Sequence, residues 1–244
     1  MTVRDNGSVD FDVTNYLYGA GVGGFRKRFT EMLPEMRSRF YQQLVGELSQ
    51  NATATKELVT DVESYPAETS FSAYVEGFAV VQKGTMSVTI PDFSSAPFGV
   101  SGSLRKTPFS IGGKSPEMDS YEVVFPKGWT EIEHLPESFL FTDPSGRCDV
   151  WLLFHDAASR IDSDGLLHVT VRRLVRRDRS LVFPADYFPM FREWNRRAAS
   201  PAARTIIVRR PGPVAAAPNR LSNSQFPILN SQFKKEVSDV HRAH

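Results

Sequence analysis

The alternation of apolar and polar residues begins at the ninth position. Val9, Phe11 and Val13 are interleaved with Asp10, Asp12 and Thr14, the period of a strand with one buried face. The Asn6-Gly7 pair before them predicts a two-residue hairpin turn, because both central positions of a type I′ turn take positive φ. The period then lengthens. Phe25, Phe29 and Met32 share one helical face, and Met36, Phe40, Leu44 and Leu48 continue it past Pro34. Proline fits the first turn of a helix but not its interior. The spacing therefore predicts two short helices, or one kinked at Pro34, with charged residues outward and the apolar stripe laid on a sheet.

From residue 57 the period falls to two. The stretches KELVTDV, TSFSAYVEGFAVV and GTMSVTIP are rich in Val, Phe, Tyr and Thr and predict strands. Residues 92–118 are dense in Ser, Gly and Pro and predict a long loop, either functional or connecting two lobes. A second β-rich series follows: SYEVVFPKGW, then TEIEHLPESFLFTDPSGRCDVWLLFHD split by a turn at residues 143–146, then GLLHVTVRRLVRRDRSLVFP. PADYFPMFREWNRRAAS predicts a helix with Tyr187, Phe191 and Trp194 on one side, and ARTIIVRR a closing strand. Periodicity ends at Pro211, and residues 211–244 are expected to be a disordered tail. The pattern predicts an α+β, mainly β fold. Two antiparallel β-rich, sandwich-like lobes, 1–118 and 119–210, carry a few covering helices.

Bulk properties narrow the function only slightly. The 244 residues carry a net charge of +1 and are 41% hydrophobic. Nothing global points to a nucleic-acid or membrane-surface protein. A single cysteine excludes an intramolecular disulfide. The first residues have no basic start followed by an apolar run, so no signal peptide is expected, and no apolar run approaches the ~20 residues of a membrane helix. The default expectation is a cytoplasmic location.

Three groups of residues could carry chemistry. Cys148, with His155 or His168, could form a thiolate nucleophile and its base. Such a thiol needs the amino end of a helix or a positive neighbour to ionise, whereas DVWLLF after Cys148 reads as a buried strand. A half-buried strand thiol is the simpler account. Arg172, Arg173, Arg176, Arg177 and Arg179 could bind a polyanion. On a strand, however, Arg173 and Arg177 share one face and Arg172 and Arg176 the other, and no stacking aromatics are interleaved. The histidines lack metal-ligand spacing, and YGAGVGGF lacks the spacing of a phosphate-binding loop. Neither a metal nor a cofactor is expected.

The order of elements resembles a known arrangement. DNGSVDFDVTNYLYGAGVGGFRKRFTEMLPEMRSRFYQQLV, then LRKTPFSIGGKSPEMDSYEVVFPKGWTEIEHLPESFLFTDPSGRCDVWLLF, then FPADYFPMFREWNRRAASPAARTIIVRR are similar to the non-catalytic β-rich region that follows the core of bacterial transglutaminase-like multidomain proteins. The resemblance spans roughly residues 3 to 210 and lacks that core. It implies an accessory or interaction module, with a protein partner or a separate catalytic domain, and a periplasmic or surface location. It supplies no catalytic residue: Cys148 falls where the family has an ordinary turn and strand. The alternatives are a degenerate cysteine enzyme using Cys148 and a polyanion-binding domain using the arginines at 172–179.

Overall fold

The computed structural model describes residues 1–91, 97–100, 102, 104–146, 151–177 and 179–211. In chain order these form β1 (Thr2–Val3), β2 (Val9–Leu17), α1 (Gly21–Glu31), α2 (Pro34–Leu48), β3 (Thr53–Ala54), β4 (Val59–Asp61), β5 (Ala67–Val75), β6 (Val80–Gln82) and β7 (Thr85–Thr89). There follow β8 (Phe109–Ile111), β9 (Lys114–Val124), β10 (Glu131–His134), β11 (Phe139–Thr142), β12 (Trp151–Ile161), β13 (Leu167–Arg177), β14 (Leu181–Phe183), α3 (Phe188–Ala199) and β15 (Thr205–Arg209). Among the described residues strand outnumbers helix, 42% to 23%, so the class is α+β, mainly β. Among the described residues no helix is long and apolar enough to cross a membrane.

Contacts divide the described chain into two compact units. The first comprises Met1–Phe11, Leu44–Ala54 and Ala73–Pro211. Its strands run β11-β12-β13-β9-β1 in one sheet, which continues through β2, β5 and β3, and β10-β15-β7-β6 in a smaller one; residues 12–17 of β2 and 67–72 of β5 belong to the second unit. The pairs β1–β2, β11–β12, β12–β13, β13–β9, β3–β5, β10–β15, β15–β7 and β6–β7 are antiparallel, whereas β1 and β9 meet in parallel at Thr2 and Val124. The expected lobe boundary at 118 falls inside β9, and β7 pairs with β15 and β8 with β14. Pairing across the sequence, which local periodicity does not record, sets the division.

The core of this unit is aromatic. Phe191 is fully buried at the centre of a cluster with Phe98, Phe109, Phe139, Phe141, Phe183 and Phe188. Trp194 stacks on Phe141 at 4.8 Å and 7°. The apolar stripe of α3 makes this possible: Phe188, Phe191, Asn195 and Ala198 recur at helical spacing and are buried. Asn195 satisfies its buried amide by accepting a hydrogen bond from the Phe98 backbone N–H at 3.1 Å.

Two turns differ from expectation. At the first, only Gly7 has positive φ, +83°. The Gly7 N–H donates to the Arg4 carbonyl, and the Arg4 N–H to the Ser8 carbonyl. The loop is therefore longer than a two-residue type I′ turn. A Cβ at Gly7 would lie 2.3 Å from the Ala79 carbonyl oxygen, so this glycine is required sterically as well as by its φ. The pair with both φ values positive is instead Lys83-Gly84, at +49° and +80°, joining β6 and β7. The expected loop at 92–118 also contains β8 and the first half of β9. Phe109 and Ile111 are buried on alternate positions of β8, a strand too short to register against its Ser-, Gly- and Pro-rich surroundings.

The second unit comprises Asp12–Gln43 and Thr55–Ser72 among the described residues. Here β4 pairs with β5 through Val59–Ser70, Thr60–Thr69 and Asp61–Glu68. The two helices are separate, as one of the expected arrangements has it. Met32 ends α1 in extended backbone and α2 starts on Pro34, because proline fits the first turn of a helix but not its interior. Phe29 is buried and packs on Phe25 at 4.5 Å and on Phe40 at 5.3 Å. Met36 lies on the stripe expected to be covered, yet is 56% exposed.

Candidate functional site

The residues singled out in the sequence are scattered. Cys148 lies outside the described residues. His155 is buried against Phe139, stacked at 5.0 Å and 14°. Burial, helped by the nearby Arg173 cation, lowers its pKa to about 4, so it is neutral at pH 7. His155 faces Arg173 across β12 and β13, whereas His168 faces Arg160. Five residues of β13 separate the two histidines, about 17 Å, and an odd offset puts them on opposite faces.

His168 has a different environment. Its Nε2 lies 2.8 Å from an Asp162 carboxylate oxygen and its Nδ1 2.9 Å from Glu122 Oε1. A neutral imidazole donates from one nitrogen only, so two carboxylates favour the protonated ring and raise its pKa, Asp162 foremost. Arg160 completes the cluster, 3.0 Å from the same Glu122 oxygen. This is a cross-strand charge network on β9, β12, β13 and the turn between the last two. Among the described residues no group of three or more His, Cys, Asp or Glu side chains is placed to hold a metal ion.

The arginines divide between faces, as the alternation expects. Arg173 is buried at 6% exposure and pairs in register with His155. Arg172 belongs to the opposite face, 3.7 Å from Asp156. Arg177 donates to the Pro97 carbonyl at 2.5 Å, and burial lowers its pKa. Arg176 is partly buried and Arg179 is exposed beyond the strand end. Adjacent arginines of β13 therefore point to opposite faces of the sheet.

A different surface gathers unused cations and apolar side chains. In the second unit, Met32, Pro34, Arg37, Ser38, Tyr41 and Leu58 line a groove of about 420 Å³. A hollow of about 370 Å³ adjoins it at the shared Met32, walled by Gly24, Lys27, Arg28, Glu31 and Met36. No residue of α2 between Pro34 and Gln43 is buried. Leu33 and Met36 are 60% and 56% exposed.

The groove is shaped by specific bonds. Arg37 donates to the Phe29 carbonyl at 3.0 Å, tying α2 to the end of α1. Arg26 reaches the Val62 and Glu63 carbonyls at 2.6 and 3.0 Å, holding α1 to the segment after β4. The Tyr41 hydroxyl donates to the Lys56 carbonyl, and burial chiefly raises its pKa. The Arg28 guanidinium lies over Phe40 at 5.5 Å. None of Lys27, Arg28, Arg37 and Arg39 takes part in an ion pair among the described residues. Charge patterning read them as an ordinary solvated face. A sharper signal is present in the sequence: residues 21–43 hold five basic and two acidic side chains in a chain that is otherwise nearly balanced.

Comparison with protein-family models, with curated proteins and with solved structures finds no match to this chain in any of the three.

Proposed function

We propose that this chain is a non-catalytic interaction module that binds a protein partner through the groove lined by Met32, α2 and Leu58 and the adjoining hollow between α1 and α2. The observation that carries the reading is the exposure of Met36, which lines the hollow with Lys27 and Arg28, in a helix whose first ten residues include none that is buried. Apolar side chains clustered this way, beside a concavity, mark interaction sites more often than solvated surface. The resemblance to the region following a transglutaminase-like core offers a separate catalytic domain of that kind as a partner to test first.

The experiment is a selection of displayed random peptides on the full chain, repeated on a Met36→Asp variant checked for an unchanged melting temperature. Peptides that bind the wild type and not the variant support the reading. A peptide pool with no dependence on Met36 overturns it.

A further inference from the structure

We propose that the partner segment is an acidic amphipathic helix, an inference that rests on the groove being the binding site. The groove's floor is apolar and adaptable. Met32 and Met36 present thioethers that repack around different side chains, and Leu58, Pro34 and the Tyr41 ring complete the lining. Its rim is basic. Lys27 and Arg28 line one hollow and Arg37 the other. Two of these charges are already positioned, Arg37 by the Phe29 carbonyl and Arg28 by the Phe40 ring. Their ordering entropy is partly spent before a ligand arrives. They have no carboxylate partner among the described residues.

The shape selects a helix. The two hollows meet at Met32 and are walled by α1, α2 and Leu58, which precedes β4. Helix walls offer no strand edge for an extended peptide to pair with, whereas an apolar stripe at i, i+3, i+4 and i+7 fits such a track. Aspartate and glutamate flanking that stripe would face Lys27, Arg28 and Arg37. Glu31 is the one acidic lining residue, and it would oppose a single basic residue of the ligand, fixing direction. The chain's own residues 212–244 make a poor occupant, with four Lys and Arg against two Asp and Glu. Like charges would then meet at the rim.

The test uses the Met36-dependent peptides selected on the full chain, sequenced as a pool. The strongest is synthesised and titrated by fluorescence anisotropy. The expected pool is enriched in Asp and Glu around apolar residues at helical spacing, and the peptide gains helical circular dichroism on binding. Lys27→Glu, whose side chain takes part in no hydrogen bond or ion pair among the described residues, is expected to weaken binding several-fold. Adding Arg37→Glu should bring the loss to tenfold or more, and raising salt from 50 to 500 mM should weaken the wild type in step. A Met36-dependent pool that is neutral or basic, or that ignores both charge reversals, overturns the acidic-helix proposal and leaves the groove reading standing. No Met36-dependent pool overturns both. Vesicles containing phosphatidylserine, added as competitor, should leave the peptide bound; displacement through Met36 would assign the surface to lipid instead.

Discussion

The two units use their arginines differently. In the first, described arginines stand in ion pairs: Arg4 with Asp10, Arg160 with Glu122, Arg172 with Asp156, Arg196 with Glu193, Arg197 with Glu137, Arg209 with Glu131, and Arg210 with Asp5. In the second, Arg26 and Arg37 bond only to carbonyls, and Lys56 with Asp12, at 3.4 Å, forms an ion pair of exposed groups. Exposed pairs contribute about 0–1 kcal/mol each, so the contrast is not one of stability. It is one of availability. Charges answered within the chain have little left to offer a ligand, whereas those on α1 and α2 are oriented without being neutralised. Burial follows the same division: a dense phenylalanine core in one unit, and a helix surface open from Pro34 to Gln43 in the other.

The largest effect should come from the core. Phe191→Ala removes a fully buried ring and should cost about 3–5 kcal/mol in urea unfolding. Met36→Ala in the open unit should stay within about 0.5 kcal/mol. Comparable losses at both would erase the contrast.

Acid should act next. His155, neutral in the fold with a pKa of about 4, binds fewer protons than the unfolded chain between pH 6.5 and 4. Stability should therefore fall as pH drops through that window, by on the order of 3 kcal/mol from this residue. His155→Phe should flatten the slope. His168 acts in the opposite sense. Its pKa is raised, so its contribution is complete below pH 6.5 and is lost as pH rises through the folded value. NMR titration of the two rings should show the opposed shifts.

Two glycines sharpen the comparison with one substitution of opposite sign. Gly7→Ala meets the Ala79 carbonyl from a positive φ and should destabilise by about 1–3 kcal/mol in urea unfolding. Gly24→Ala, inside α1 with nothing within 4 Å of its Cβ, should stabilise by up to about 1 kcal/mol by the same measurement. Because Gly24 lines the hollow beside Lys27, the same methyl should also weaken the selected peptide about two- to threefold in anisotropy.

Much of this fold is legible in the sequence because its signals are local. The helix break at Pro34, the alternation at Val9 and Phe11 and the stripe of α3 each depend on residues a few positions apart. The sequence misleads where an interaction is distant. Asn6-Gly7 carries the composition of a type I′ turn, but the approach of the Ala79 carbonyl fixes the loop, while Lys83-Gly84 adopts the paired positive φ. β8 escapes notice because its partner β14 is some seventy residues away. For the site, strand alternation separates Arg172 from Arg173 correctly. The groove is harder to read, since Met36 has the spacing of a core residue and only tertiary structure leaves it exposed.

The most direct test is amide hydrogen exchange on the full chain with and without the selected peptide. Slowed exchange concentrated in residues 24–41 and around Leu58 is the result expected of a docking groove. Slowed exchange confined to the sheets of the other unit, or none at saturating peptide, would contradict it.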